Sequence, residues 1–179
     1  MERVEQLRLL KGLINHLDLK TNINAGGIIK TPADTYISEE RFDREWNTFF
    51  LNHPQIIGLS GDLPTPNSFV TTEDFGVPIL AVRDDTGEFK AYANVCPHRG
   101  VTIESSKKGE KSKFSCPFHG WTFNNEGNLI GYPKKEQFGE IDKDCYGLKE
   151  LPAIEKFGFL WVHPKREGII DLDELLGKE

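Results

Sequence analysis

Cysteine is scarce in this sequence. Three cysteines occur among 179 residues, at Cys96, Cys116 and Cys145. So small and odd a number excludes a disulfide framework of the kind that holds small secreted proteins together. It suits a reducing compartment, and we therefore predict a cytoplasmic protein whose few cysteines have a chemical role.

A basic excess and long apolar runs are also missing. The chain has 22 Lys and Arg against 28 Asp and Glu, which gives a net charge of −6. That acidity argues against a nucleic-acid-binding protein, which needs a positive face to meet phosphate. No apolar run approaches the roughly 20 residues that span a bilayer, and the acidic N-terminal segment is unlike a secretory signal. We expect neither nucleic acid nor a membrane as a partner.

Helical signals are concentrated in the first 50 residues. Residues 2–17 carry an apolar stripe at helical spacing, and Ser38 is a good N-cap for a second helix over residues 39–50. A third helical turn is predicted at residues 171–176. The aromatic residues of the second helix are expected to face inward: Phe42, Trp46, Phe49 and Phe50.

Between these helical segments the pattern changes to short strands separated by turns. Turn residues occur at Asp84–Gly87 and at Asn124–Gly127. Strand follows strand without βαβ alternation, which predicts a mainly β, antiparallel domain behind a helical extension. The strand-like runs are residues 56–59, 69–72, 77–82, 89–95, 113–116, 120–123, 128–130, 148–154 and 157–162.

One short box of residues occurs twice. Cys96-Pro97-His98-Arg99-Gly100 is followed by Cys116-Pro117-Phe118-His119-Gly120-Trp121, and 17 residues lie between His98 and Cys116. Each box supplies one thiolate and one imidazole at the end of an apolar strand. Two such loops form a four-ligand metal site from Cys96, His98, Cys116 and His119.

Three interpretations compete for these four residues. A single buried Cys or His is most often a packing residue, but two matched boxes make that reading weak. Structural zinc sites usually pair Cys with Cys and His with His, whereas each loop here mixes the two. In a Rieske [2Fe-2S] centre two His replace two Cys on one iron, so each loop must donate one ligand to each iron, as a mixed box can.

The two boxes resemble the Rieske motif of ring-hydroxylating oxygenase α subunits. The context is also similar to the N-terminal domain of that family, over roughly residues 38–176, including Arg41–Trp46, Gly76–Val82, Gly131–Pro133 and Gly158–Val162. The resemblance implies that Cys96 and Cys116 ligate one iron and that His98 and His119 ligate the other. Phe118 stands where the family often has Tyr.

The resemblance also implies an architecture. It predicts a Rieske-type antiparallel β-sandwich over residues 51–170, with a small cluster-binding subdomain at about 94–133. Residues 1–50 form a helical extension, and 171–179 begin a linker or helix toward an absent catalytic domain. One [2Fe-2S] cluster is expected and no mononuclear iron in this chain, because no 2-His-1-carboxylate triad is recognisable.

Residues around the boxes suggest how the cluster is tuned. Respiratory Rieske proteins have an extra disulfide-bonded Cys in each loop and hydroxyls beside the cluster, whereas this chain has Val101 and Phe118, and then Trp121 and Phe123. Fewer hydrogen bonds to the cluster sulfurs lower the reduction potential. We therefore expect a potential toward the negative end of the Rieske range of about −150 to +300 mV.

Weaker expectations concern four residues near the boxes and the third cysteine. Trp121 is expected to shield the cluster from water, and Arg99 to lie beside it. Tyr132-Pro133 is either a third loop over the cluster, as the resemblance implies, or an ordinary turn. Cys145 is expected to be a free, partly buried thiol.

The partners expected from the resemblance are a ferredoxin or reductase as electron donor, a catalytic domain in cis, and a homotrimer. Residues 96–119 carry five basic against two acidic residues, a net charge of +3, so the remainder carries −9. A cationic lobe of this kind could steer an acidic donor, although a solvated loop with no partner explains it equally well. A standalone Rieske ferredoxin is the alternative to an oxygenase portion, and a zinc-stabilised module is a third option.

Overall fold

The computed structural model describes residues 2–22 and 26–177. Its contacts divide the chain into two compact units. The first comprises residues 1–41 together with 171–179, and the second comprises residues 42–170. Among the described residues, no helix is long and apolar enough to cross a membrane.

The helices of the first unit largely follow the sequence pattern. They are α1 (Arg3–Leu19), α2 (Asp34–Ile37), the start of α3 (Glu39–Glu45), and α5 (Leu172–Leu176). The predicted N-cap is confirmed, because Ser38 Oγ accepts a hydrogen bond from the Arg41 amide at 3.2 Å. The C-terminal turn is also confirmed, and Asp171 caps it by accepting from the Glu174 amide at 2.9 Å. The short helix α2 was not predicted.

The aromatic residues of the second helix contradict the sequence prediction. The α-helical part ends at Glu45, and a π-helical turn over Trp46–Phe50 follows. Phe42 and Phe49 are 60% and 59% exposed, so the prediction that they face inward is wrong. Phe42 and Phe50 stack on the two sides of half-buried Trp46, with ring centroids 5.7 and 5.0 Å from it. The rings of Phe42, Trp46 and Phe50 therefore stack on one another within the helix and do not fill a hydrophobic core.

The strands of the second unit pair antiparallel in three sheets. Their orders are β1-β11-β10, β5-β2-β3-β4-β9 and β6-β7-β8. The mainly β, antiparallel fold is thus confirmed, and β5 is a strand that the sequence did not predict. The strands are β1 (Gln55–Leu59), β2 (Ser68–Thr72), β3 (Ile79–Arg83), β4 (Phe89–Ala93), β5 (Lys108–Glu110), β6 (Lys113–Ser115), β7 (Thr122–Asn124), β8 (Leu129–Gly131), β9 (Glu150–Leu151), β10 (Ala153–Lys156) and β11 (Phe159–Val162).

Strand β3 lies between two hydrophobic cores. Leu80 and Val82 belong to one core, and Ile79 and Ala81 belong to the other. This division follows from the alternation of side chains along a strand, and it explains why β3 is apolar at consecutive positions. The first core contains buried residues of β6, β7 and β8 and the two boxes, and the second contains Leu160 and Val162 of β11.

The turn that joins β3 to β4 is built around Asp84. Its Oδ1 accepts hydrogen bonds from the Thr86 and Glu88 amides, both at 2.9 Å, and its Oδ2 pairs with Lys90 Nζ at 3.0 Å. Burial by itself raises the pKa of Asp84, but the hydrogen bonds from Thr86, Lys90 and Glu88 outweigh it and lower that pKa to about 2. The predicted hairpin turn is confirmed.

Two strand ends carry the repeated boxes. Strand β4 ends at Ala93 and continues into the first box, and β6 and β7 are joined by the second. Additional short helical segments, α4 (Lys135–Phe138) and a 3₁₀ turn over Lys143–Tyr146, follow β8.

Candidate metal centre

The two boxes fold into loops with the same hydrogen bonds. In the first loop the Cys96 amide donates to Val101 O and the Gly100 amide donates to Cys96 O, both at 2.8 Å. In the second loop the Cys116 amide donates to Trp121 O at 2.8 Å and the Gly120 amide donates to Cys116 O at 2.9 Å. Each loop therefore turns back on its own cysteine in the same way, as the repeated sequence suggests.

Glycine ends each tight turn for a physical reason. Gly100 has φ 73° and Gly120 has φ 71°, in the left-handed region that residues with a Cβ avoid. A Cβ on Gly120 would also lie 3.2 Å from Pro133 Cγ. The second loop thus needs glycine both for its backbone conformation and for its contact with the segment after β8.

The folded loops bring the four predicted residues together. The Cys96 and Cys116 side chains are buried in the same core, and the ring centroids of His98 and His119 are 4.9 Å apart. The site therefore presents a pair of thiols and a pair of imidazoles, one of each from each loop. Among the described residues, no group of three or more His, Cys, Asp or Glu side chains is placed to hold a single ion.

The burial of the two imidazole Nδ1 atoms is suited to metal binding. The Nδ1 atoms of His98 and His119 are both buried, and among the described residues neither has a hydrogen-bond partner. Buried polar atoms normally find partners, so two neighbouring orphans from matched loops indicate a missing group. A metal bound through Nδ1 would satisfy both, and the neighbouring thiols are soft ligands that suit iron in a [2Fe-2S] cluster.

The surroundings also shift the acidity of the site. Burial raises the pKa of the Cys96 thiol, and the adjacent Cys116 thiol raises it further, while the amides of His98 and Arg99 hydrogen-bond to it and lower it. Burial lowers the pKa of His98, and the charges of His119 and Arg99 act in the same direction. The His98 imidazole is therefore biased toward its neutral form, which is the form that binds a metal.

An aromatic layer covers one side of the imidazole pair. Trp121 is 1% exposed and stacks on the His98 ring, with centroids 4.9 Å apart and planes 3° apart. Phe138 of α4 meets the His98 ring edge-on at 5.3 Å, and Tyr132 lies 5.7 Å from Trp121. The exposed ring of Phe118 lies next to the His119 ring, with ring centroids 3.8 Å apart.

A recess of about 520 Å³ opens beside the two imidazoles. Among the described residues that line it, the charged ones are Arg99 and Lys134. Pro133 lines it as well, so the Tyr132-Pro133 segment lies next to the site, as the third-loop interpretation expects. The full lining is His98, Arg99, Phe118, His119, Pro133, Lys134, Gln137 and Phe138.

The sequence did not predict that Phe138 lies at the site, and it gave the wrong burial for Cys145. Phe138 packs on His98, but α4 is a single short turn without periodicity, so the sequence carries no signal for it. Cys145 was expected to be partly buried, and that expectation is wrong because its side chain is exposed. Its thiol donates to Asp142 Oδ2 at 3.3 Å, and this hydrogen bond, with the charge of Asp142, raises the pKa of Cys145.

Comparison with known proteins gives a family match over this region. The family model described as the Rieske [2Fe-2S] domain matches residues 53–154, which is more than half of the chain and includes both loops. The large oxygenase component of a naphthalene 1,2-dioxygenase system from Pseudomonas aeruginosa is 36% identical over 126 residues, 69% of this chain and 28% of the relative. The toluate 1,2-dioxygenase α subunit of Pseudomonas putida is 32% identical over 157 residues, 85% of this chain and 34% of the relative.

The solved structures that superpose on this chain are also Rieske oxygenases. A naphthalene 1,2-dioxygenase mutant bound to phenanthrene superposes with a TM-score of 0.70 at 32% identity, covering 78% of this chain and 32% of that one. A quaternary ammonium Rieske monooxygenase superposes with a TM-score of 0.73 at 26% identity, covering 83% and 41%. The chain spans about a third of the length of the curated relatives it matches.

Proposed function

Because the chain belongs to the Rieske [2Fe-2S] domain family, we propose that Cys96, His98, Cys116 and His119 are the ligands of a [2Fe-2S] cluster. Cys96 and Cys116 would bind one iron through sulfur, and His98 and His119 would bind the other through Nδ1. The observation that carries this assignment is the pair of buried Nδ1 atoms, which lack partners among the described residues. When bound, such a cluster supplies reversible one-electron transfer.

The residues around the ligands would exclude water and set the potential. Trp121 covers one face of the His98 ring, and Phe123 is fully buried in the same core. Phe123 has no hydrogen-bond donor and Trp121 has only its indole Nε1–H, so the reduced state would gain less stabilisation there than from two hydroxyls. These contacts support a low reduction potential.

The relatives extend the proposal beyond this domain. They are named as large components and α subunits of dioxygenases, and this chain corresponds to about a third of their length. We propose that the domain is the N-terminal electron-transfer portion of a ring-hydroxylating oxygenase α subunit. It would pass electrons to a mononuclear iron site in the catalytic domain of such a subunit. The domain limits 1–50, 51–170 and 171–179 belong to the same proposal.

The recess beside the imidazoles is the proposed contact for an electron-transfer partner. His98 and His119 line it, so a partner seated there would lie against the ligand rings. Arg99 and Lys134 at its edge favour an acidic partner, such as a ferredoxin or the corresponding domain of a reductase. A homotrimer, as the family resemblance implies, is part of this proposal.

Metal analysis of the purified protein tests the cluster directly. We expect about two iron and two acid-labile sulfide per chain. His119→Ala should abolish both, whereas His53→Ala should leave both unchanged, because His53 is exposed and lies outside the two loops. Stoichiometric zinc without sulfide would show the alternative site chemistry and contradict the proposal.

A further inference from the structure

A network of buried hydrogen bonds closes the base of the first loop. Asn94, which lies two residues before Cys96, is 2% exposed. Its Nδ2 donates to Glu104 O at 2.7 Å, and its Oδ1 accepts from the Glu104 amide at 3.0 Å. Val95 also forms a β-bridge with Thr102. The two ends of the first loop are therefore fastened to each other through the Asn94 side chain.

The side chain of Glu104 continues this network toward the second loop. Glu104 is 6% exposed. One carboxylate oxygen accepts from the Ser106 amide at 2.8 Å, and the other forms an ion pair with Lys111. Burial raises the pKa of Glu104, but the bonds from Lys111 and Ser106 outweigh it and hold that pKa below its usual range. The carboxylate is therefore charged at neutral pH.

Lys111 connects the network to the strand that carries the second loop. It lies two residues before β6 (Lys113–Ser115), which runs directly into Cys116. The Lys111 amide donates to Asn67 O at 2.8 Å, and its Nζ lies 5.5 Å from the centre of the Phe69 ring. Phe69 in turn packs edge-on against Phe114 of β6, with centroids 5.3 Å apart. Lys111 is thus linked to β6 along the chain and, indirectly, through the Phe69 ring, while its side chain pairs with Glu104.

We propose that Asn94, Glu104 and Lys111 form a loop clamp that fixes the separation of the two ligand loops and thereby slows the loss of the cluster. The inference rests on the proposed function, since it takes the four loop residues as cluster ligands. An ion pair with one buried partner is a poor source of net stability, because removing the Glu104 carboxylate from water offsets much of its attraction to the half-exposed Lys111 ammonium. Its position, joining the stem of one ligand loop to the strand of the other, explains its presence better than stability does.

The rate of cluster loss tests the clamp on the intact holoprotein. Variants Glu104→Gln and Lys111→Met remove the ion pair, and Lys111→Arg retains it. The visible absorbance is followed anaerobically in excess EDTA, and thermal unfolding is recorded separately. We expect Glu104→Gln and Lys111→Met to lose the cluster on the order of tenfold faster, as for other residues that orient metal ligands. Lys111→Arg should stay near the parent rate, and the double variant should be no faster than either single one.

The chain supplies a matched control at the opposite end of β3. Asp84 is also a buried carboxylate paired with a lysine, at 3.0 Å from Lys90, but it lies in the β3–β4 turn. Asp84→Asn should lower the unfolding temperature while leaving the rate of cluster loss within about twofold of the parent. A second readout is the EPR signal of the reduced protein, which should broaden in Glu104→Gln, because the ligand geometry spreads, and stay unchanged in Asp84→Asn.

The outcomes separate the clamp from general stability. If the rate of cluster loss in every variant, including Asp84→Asn, correlates with its unfolding temperature, the clamp is overturned. The Glu104–Lys111 ion pair then contributes only to general stability. If Glu104→Gln fails to fold, Lys111→Met decides alone, because the Lys111 side chain is 46% exposed and tolerates the exchange. If the parent protein holds its cluster but the variants lose theirs at the parent rate, the clamp is overturned and the proposed function stands. A parent protein without a cluster overturns the proposed function together with it.

Discussion

Among single residues, the cysteines and histidines divide by their surroundings. Cys96 and Cys116 are buried in matched loops, whereas Cys145 is exposed and bonded to Asp142. His98 and His119 have buried Nδ1 atoms without partners among the described residues, whereas His163 Nδ1 accepts from the Lys165 amide at 3.0 Å. Cysteines, and likewise histidines, thus differ in their capacity to bind a metal because their burial and their hydrogen-bond partners differ.

Asp84 gives a prediction for stability against pH. Its pKa is about 2 in the folded chain against an ordinary value of 3.8. Because the pKa of Asp84 is lower in the folded chain, its ionised carboxylate stabilises the fold. This stabilisation is fully present above about pH 4 and is lost as the pH falls toward 2. Asp84→Asn should therefore cost about 2 kcal/mol of unfolding free energy at pH 7, and roughly half of that difference should remain at pH 3.

Denaturant unfolding of the parent and Asp84→Asn proteins between pH 7 and pH 3 measures this difference. Loss of any bound cluster at acid pH affects both proteins alike and cancels from it. A difference that stays constant over the whole range would show that the cost comes from packing and not from the carboxylate charge.

The proposed ligand set, which remains a prediction, could be chosen at residue level because its signal is local. The two boxes have Cys, Pro, His and Gly at fixed offsets, so they can be recognised from the sequence without the tertiary structure. The stacking of Trp121 on His98, and the contact of Phe138 with the same ring, depend on how separate segments meet. Asn94, Glu104 and Lys111 were unpredictable for the same reason, because nothing in the spacing marks them as partners.

At the scale of elements, the two ligand loops differ in what their glycines tolerate. Both Gly100 and Gly120 have positive φ, but a Cβ on Gly100 meets nothing within 4 Å among the described atoms, whereas one on Gly120 meets Pro133 at 3.2 Å. Gly100→Ala should destabilise by about 1 to 2 kcal/mol through backbone strain alone. Gly120→Ala should cost more, because the segment after β8 must also move.

Thermal unfolding of the two alanine variants, measured side by side, checks this order. Gly120→Ala should also lose its cluster faster than Gly100→Ala, since Pro133 lines the recess beside the imidazoles. Equal losses of stability would mean that the Pro133 contact does not constrain the second loop.

Elements with strong local patterns were predictable, and those fixed by long-range packing were not. The stripe of α1, the N-cap Ser38 and the Asp84–Gly87 turn appear in the structure as expected. Strand β5 consists of Lys108, Gly109 and Glu110, has no apolar residue that would predict a strand, and forms because β2 pairs with it. Phe42, Trp46 and Phe50 were expected to face inward, but the exposed rings of Phe42 and Phe50 stack on half-buried Trp46. A helical pattern identifies an apolar face and does not say what covers it.

At the scale of the whole molecule, the charge distribution gives a test of the proposed acidic electron donor. The chain is acidic overall, while Arg99 and Lys134 lie at the recess beside the ligand rings. An acidic donor should be steered to this recess, and salt should screen the attraction. Lys134→Glu should therefore slow reduction by an acidic [2Fe-2S] ferredoxin several-fold at low salt, with rates converging at high salt.

Stopped-flow reduction at several salt concentrations measures this effect. Lys149→Glu is the matched control, because Lys149 is exposed in the same unit and does not line the recess. Equal slowing in both variants would assign the effect to net charge, and the recess would no longer be the proposed contact.

The central claim is that residues 96–121 hold a low-potential Rieske cluster, and an EPR-monitored redox titration tests it most directly. The protein as purified should be brown, and it should show a rhombic signal on reduction. The midpoint should fall toward the negative end of the range of about −150 to +300 mV, because Trp121 and Phe123 replace hydroxyls beside the cluster. A colourless protein without the signal, or a midpoint well above zero, would contradict the account.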